Sequence, residues 1–269
     1  MKMKKALIGA AVVIPAVFLL LFINSLTGNP VSKALAKRTA EHYINQNYSQ
    51  LELRIESVYY NFKFGEYRVI VQSETSEDTA FSICFDSFGT VTGDDYATEV
   101  ANSFTTWRRL SGALRSKGAE IIGNQLDYDF AFTYIRFAAE NSADTGRSKL
   151  QLDMTLDIYA PPLPLEADVA VFTDNLSYDK IAEVAKTVEA TLKAQNVPIA
   201  QYSVRLIPLS NKPLQEKEAV SWANSIAVDG FPAERMSEEY LPQAMAQFEQ
   251  QLYSQTTRKP IRLDDPFCS

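Results

Sequence analysis

His42 is the only histidine in 269 residues, and that restricts the chemistry open to the chain. A hydroxyl or thiol nucleophile activated by imidazole would need it as base. His42 stands between Glu41 and Tyr43 in a stretch with helical spacing, where an exposed helical side chain is the expected reading. Zinc sites built on several His or Cys ligands are excluded by the same count, since the only cysteines are Cys84 and Cys268. Carboxylates are more plentiful. Asp94 with Asp95, Asp127 with Asp129, Asp153 with Asp157, and Asp264 with Asp265 could hold a hard cation through oxygen. A paired-carboxylate hydrolase would draw on the same residues. No EF-hand spacing occurs, however, and an acidic solvent face accounts for these pairs without a metal. There is neither a phosphate-cradling glycine loop nor a Gly-x-Ser-x-Gly elbow, and "SFGTVTG" reads as a β-turn. The expectation is therefore no catalytic residue, no metal ligand and no cofactor, with no ligand-binding residue singled out. The aromatic row Tyr59, Tyr60, Phe62, Phe64 and Tyr67 offers a stacking surface, but alternation puts Tyr60, Phe62 and Phe64 toward the packing face, and a core role is the expected reading.

The elements around these residues begin with a basic start, Lys2, Lys4 and Lys5, followed by Ala6–Ile23 without a charged residue. A helix of that length just spans a hydrocarbon layer of about 30 Å. A cleaved signal peptide shares the basic start and apolar middle. No Ala-x-Ala lies close behind the run; the triplet Ala34-Leu35-Ala36 is far downstream. The expectation is a retained transmembrane anchor over residues 6–26 in contact with the lipid bilayer. A cytoplasmic tail of residues 1–5 precedes it, and the body lies outside the cytoplasm. Lys33, Lys37 and Arg38 follow the run, so the flanking charges are nearly balanced; the cations that abut the apolar segment set the orientation.

The whole chain has a net charge of −7, and removing the first 26 residues takes away cations only. Such a body is repelled by phosphate backbones and by anionic lipid surfaces, so nucleic acid is not an expected partner. Its 46% hydrophobic content is that of a globular protein. Nothing in the sequence brings Cys84 and Cys268 together, and two separate thiols are expected.

Asn29 and Pro30 open a helix over residues 30–46 with Val31, Leu35, Tyr43 and Ile44 recurring along it. Alternation then takes over. Leu51, Leu53 and Ile55 are followed by Val58, Tyr60, Phe62 and Phe64, with Gly65 at the first central position of a hairpin turn. Tyr67, Val69 and Val71 return, and Phe81, Ile83 and Phe85 make a further strand. Helical character spans Asp94–Lys117, and a boundary is placed near Gly118. The second half reads as a strand through Leu126–Tyr134, another through Leu150–Ile158, and a third in "LEADVAVF". A helix capped by Ser177, a strand through Tyr202, Val204 and Leu206, and helices over Glu216–Val228 and Ser237–Thr257 complete it. The class is α+β, with an N-terminal domain over residues 27–118 and a C-terminal α+β domain over residues 119–269.

"NPVSKALAKRTAEHYINQNY", "VYYNFKFGEYRVIVQSETSEDTAFSI" and "GTVTGDDY" resemble the YfjL-like family of membrane-anchored proteins from Bacillus-type bacteria. "EADVAVFTDNLSYDKIAEVAKTVEATLKAQNVPIAQYSVRL" fits the same family, so the resemblance covers nearly the whole chain. It implies a helix-plus-meander module similar to cystatin-like or PepSY-like folds, a separate C-terminal domain, and no catalytic residue to carry over. Anchor and globule together point to a non-enzymatic module that binds a protein or peptide at the cell envelope and modulates an envelope enzyme. An acid-dependent hydrolase or metal-binding domain is the alternative.

Overall fold

The computed structural model describes residues 26–138, 146–215 and 218–256. They form an α+β architecture with two four-stranded sheets. No helix among the described residues is long and apolar enough to cross a membrane. The first of them carries Lys33, Lys37, Arg38 and Glu41 along its length, which no hydrocarbon layer tolerates. The expected architecture led by a transmembrane helix is corrected accordingly; residues 6–25 of the expected anchor lie outside the described residues. The chain divides into two compact units inside one helix, between Thr106 and Trp107, and Gln151–Asp153 group with the first unit.

The first unit opens with α1 (Pro30–Asn47). Asn29 caps it, its side-chain oxygen accepting from the Val31 N–H, and Pro30 begins it. Both satisfy or avoid the orphan N–H groups of a first turn. Behind α1 run β1 (Leu53–Asn61), β2 (Glu66–Ser73), β3 (Ala80–Phe85) and β4 (Val91–Asp94) in sequential order, all antiparallel. The core joins Val69, Val71, Phe81, Ile83 and Phe85 to Ala36, Ala40 and Ile44. The buried stripe of α1 is thus Ser32, Ala36, Ala40 and Ile44, repeating every four residues with small side chains that let the helix approach the sheet. Val31, expected in that stripe, is instead 64% exposed, and Leu35 is exposed as well.

Strand parity explains a second difference. Ile55 pairs with Val71 and Ser57 with Ile70, so Glu56 is an extra residue in β1. This bulge puts Leu53 and Ile55 on the same face as Val58 and Tyr60, all four packed on the core. The hairpin that follows is longer than a two-residue turn, since Asn61 pairs with Glu66. Gly65 closes the loop with φ +67°, and its N–H and that of Phe64 both donate to the Asn61 carbonyl. Phe62 and Phe64, expected in the core, sit in this loop at 58% and 63% exposure.

The second unit holds the rest of α2 (Phe104–Gly118), then β5 (Phe130–Phe137), β6 (Leu165–Phe172), α3 (Tyr178–Ala194), β7 (Gln201–Ile207), β8 (Ile226–Pro232) and α4 (Leu241–Thr256). The sheet order is sequential, with β6 and β7 parallel and the two outer pairings antiparallel. The parallel pair requires a crossover, which α3 supplies. Ser177 caps α3, accepting from the Lys180 N–H, and Ile181, Val184, Ala185, Val188 and Leu192 are buried. They meet Ile135, Val169, Val204 and Leu206 in one core that also takes Leu241 and Met245 from α4.

Two expected elements do not form. Leu150–Ile158 is not a strand: Asp153 takes a left-handed turn, φ +59°, which breaks the alternation. Glu216–Val228 is not a helix: its last three residues open β8, where Ile226 pairs with Leu206, and residues 218–225 form an irregular connection; residues 216–217 lie outside the described ones. Helical propensity there yields to the open edge of β7.

Gly118 and Gly112 separate the two roles glycine plays in α2. A Cβ on Gly118 would lie 2.4 Å from the Ile135 backbone nitrogen, whereas one on Gly112 meets nothing within 4 Å. Gly118→Ala is expected to cost about 2 kcal/mol or more through forced backbone displacement. Gly112→Ala is expected to stabilise by about 0.5–1 kcal/mol through helix propensity. Paired denaturant melts of the two variants check the contrast.

Candidate functional site

The richest polar arrangement among the described residues lies on the second sheet, on the face turned away from α3. An extra residue makes it. Phe130 pairs with Val171 and Phe132 with Ala170, so Ala131 is a bulge. After it Thr133, Ile135 and Phe137 point into the core, while Phe132, Tyr134 and Arg136 take the outer face. Tyr134 and Arg136 pair with Asp168 and Glu166 across the ladder.

The lower half of this face is ionic. The Arg136 guanidinium forks onto Glu166, with Nε donating to Oε2 at 3.1 Å and Nη2 to Oε1 at 2.9 Å. It also reaches Asp168 Oδ2 at 3.2 Å. Glu166 is buried and accepts a further hydrogen bond from the Ser203 hydroxyl. Ser203 in turn accepts from the Gly230 N–H at 2.7 Å. Burial pushes the Asp168 carboxyl up from 3.8 to about 6; the Arg136 charge opposes this shift and the nearby Glu166 charge adds to it. Desolvation therefore outweighs the ion pair at Asp168. A cleft of about 430 Å3 borders the network, lined by Arg136, Glu166, Asp229 and Gly230 with Phe248 and Leu252 opposite.

The upper half is aromatic. Phe132 and Tyr134 stack with centroids 4.6 Å apart and planes at 13°. Trp222 meets Phe132 edge-on at 6.1 Å and is 47% exposed. Arg115 lies over the Tyr134 ring and Arg205 over the Trp222 ring, each 5.6 Å from the centroid, within the range of a cation–π attraction. Beneath them Ala170, Phe172 and Ile207 form a small buried floor.

The residues singled out by type alone are placed elsewhere. His42 is exposed on α1. Asp94 accepts from the Tyr43 and Tyr48 hydroxyls at 2.6 and 2.9 Å and from the Tyr96 N–H; burial and this carboxylate raise the Tyr43 phenol to about 12. Asp95 lies 3.6 Å from Arg68. Asp127 and Asp129 are not on a strand face: they lead into β5, and Asp129 pairs with Lys212 at 2.6 Å. Asp153 and Asp78 clasp each other, each carboxylate accepting the other's backbone N–H, at 3.0 and 2.8 Å. Asp157 caps its own turn by accepting from the Tyr159 N–H. Asp264, Asp265 and Cys268 lie outside the described residues. Cys84 is buried in β3, paired with Arg68 of β2. Among the described residues no three His, Cys, Asp or Glu side chains form a group that could hold a metal.

Sequence reasoning missed Arg136, Glu166, Asp168 and Ser203. The signal was present in "LEADVAVF", where two acids alternate with buried residues on what becomes a central strand.

A helix packed on an antiparallel meander, followed by a mixed sheet with helices on one face and a charged and aromatic outer face, defines a two-unit α+β protein. The chain belongs to the YfjL-like family. Its N-terminal domain profile matches residues 3–95 and its C-terminal domain profile residues 116–246. Neither a curated protein nor a solved structure matches significantly.

Two outcomes follow for the ionic half. Glu166→Ala removes the acceptor that Arg136 and Ser203 share. Buried pairs broken from one side cost about 3–5 kcal/mol; because Arg136 stays partly solvated, about 2–3 kcal/mol is expected in a denaturant melt. Asp168 has a folded pKa above its unfolded one, so its protonated form adds stability that is complete below pH 3.8 and is lost as pH rises through about 6. Asp168→Asn removes that dependence. Relative to the unmodified protein, the variant should gain on the order of 2 kcal/mol between pH 4 and pH 7, and a pH series of melts checks it.

Proposed function

We propose that the protein is a non-enzymatic binding module for a protein or peptide segment at the cell envelope. Recognition takes place on the outer face of the second sheet, where it modulates the protein it holds. The observation that carries this reading is the open group of Phe132, Tyr134 and Trp222 with Arg115 and Arg205 laid over two of the rings. Tyr, Trp and Arg are the side chains that dominate binding hot spots, since they bring large contact area with a polar handle and little entropy to lose. The ionic half beside them holds register: Glu166 and Ser203 are buried and satisfied, so they shape the face without offering a nucleophile to solvent.

A partner of this kind lays an aliphatic or aromatic side chain across the open edges of Tyr134 and Trp222, since Phe132 already stacks on the one and meets the other. Its backbone lies along the face toward Asp168 and Asp229. The extracytoplasmic position is part of the same proposal. It rests on the basic start and the uncharged run Ala6–Ile23 of the sequence, an export signal whether kept or removed. Added protease should digest the body in intact protoplasts.

The binding reading is tested by placing photoreactive benzoylphenylalanine at Tyr134 and, in a separate variant, at the exposed Tyr159. The Tyr134 variant should give a discrete adduct in living cells and the Tyr159 variant none. Trp222→Ala should lower the Tyr134 adduct about tenfold or more, as loss of a hot-spot ring does. Equal labelling at both positions, or none at either, would sink the proposal.

A further inference from the structure

Apolar side chains are left open at one end of the first unit, and four contacts show that they share it. The Asn29 N–H donates to the Tyr67 hydroxyl at 2.7 Å, and the Ser32 hydroxyl donates to the Ser87 carbonyl at 2.7 Å. A Cβ on Gly28 would stand 2.5 Å from that of Tyr60, and one on Gly89 3.0 Å from that of Leu35. The first turn of α1, the β1–β2 loop and the β3–β4 turn therefore converge, as a meander requires of alternate turns. At this end Phe62, Phe64, Val31 and Leu35 are exposed, and Phe88 is 85% exposed at the tip of the β3–β4 turn.

These side chains are not there by default of the fold. Both turns are built to hold their tips out. Gly65 and Gly89 take positive φ, and Asp86 accepts the Phe88 and Thr90 N–H groups at 2.9 and 2.8 Å. Polar residues would serve such turns equally well, and three phenylalanines stand there instead.

We infer that this end of the first unit rests on a lipid surface, with Phe62, Phe64 and Phe88 entering the headgroup layer. Two features select lipid over another occupant. One is where the chain outside the described residues joins: the uncharged run Ala6–Ile23 ends three positions before Leu26, the first described residue, which precedes Gly28 at this same end. The other is charge. Lys63 sits between Phe62 and Phe64, and Lys33 between Val31 and Leu35, in a chain of net charge −7. Of the local acids, Glu66 is paired with Arg68 at 2.7 Å, while Asp86 keeps its charge and is turned back onto the Phe88 and Thr90 N–H groups. Aromatic tips with flanking lysines suit the interface of an anionic bilayer, while the acidic remainder is held off by the same surface charge.

This inference stands apart from the binding face on the second sheet, and its test reads a different place. Full-length protein carrying Cys268→Ser is labelled with an environment-sensitive fluorophore at Phe64→Cys, Phe88→Cys or, for comparison, Tyr159→Cys; buried Cys84 is shielded from the reagent. Each is transferred from mild detergent into phosphatidylglycerol vesicles with or without brominated acyl chains. Labels at 64 and 88 should shift to the blue on transfer and lose most of their intensity to the brominated lipid, and the label at 159 should do neither. Overturning results are emission at 64 and 88 that matches 159, or labels that are already blue-shifted without lipid and indifferent to bromine. The second result would mean that the chain's own Ala6–Ile23 segment covers the patch.

Discussion

A sheet with helices on only one face must keep every inward side chain in step along each strand, because the side-chain period is two and a slip of one residue turns the whole set over. Both sheets carry register shifts, and in each an inserted residue in the first strand sets which side chains face the core. Glu56 resets β1 so that Leu53, Ile55, Val58 and Tyr60 all reach the core under α1. Ala131 resets β5 so that Phe130 before it and Ile135 and Phe137 after it pack on the same helices. The second bulge has the larger consequence. It sends Phe132, Tyr134 and Arg136 outward, and those three are the raw material of the outer face.

The ionic half of that face is expensive to maintain. A buried carboxylate gives up several kcal/mol of hydration, which attraction to one arginine alone seldom restores. Glu166 is held by more than one partner: a two-pronged guanidinium and a serine hydroxyl whose oxygen is itself fixed by the Gly230 N–H. Three strands and one glycine are thereby committed to a single register. Gly230 adopts φ +68°, so the chain can turn its N–H toward Ser203 where the β7–β8 ladder shifts. Asp168 lies outside this fully satisfied set, which is why burial dominates its titration.

How much of this was legible in the sequence depends on how local each cause is. The caps Asn29 and Ser177 and the amphipathic run of α3 are local, and both helices form where spacing and capping placed them. The family resemblance rested on such patterns and is shown by the domain matches. Bulges are another matter. Nothing in "IES" or "FAF" marks Glu56 or Ala131 as extra residues, since each is defined only against the partner strand; the outward placement of Phe132 and Tyr134 follows from the second, while Phe62 and Phe64 are exposed because pairing ends at Asn61 and Glu66. The same is true of Asp153, whose left-handed turn depends on Asp78 far away in sequence and undoes a strand that alternation alone would favour. Searching for catalytic pairs by residue type found acids that serve as local caps and clasps, and passed over the charged positions of β6 because they sit among apolar neighbours.

Open aromatic groups on a soluble surface invite self-association. The distribution of charge shows how the chain tolerates them. Tyr134 and Trp222 each lie under an arginine, which shields part of the ring and keeps its rim hydrated. Phe62 and Phe64 flank a lysine. The rest of the chain carries the acidic excess, and molecules with a net charge of −7 repel one another at long range. An aromatic contact under these conditions needs a partner that brings its own complementarity, either rings and backbone to match a sheet face or an apolar layer beneath a charged surface. Repulsion between copies therefore acts as a filter: it disfavours the chain's association with itself and leaves the two exposed faces available to unlike surfaces.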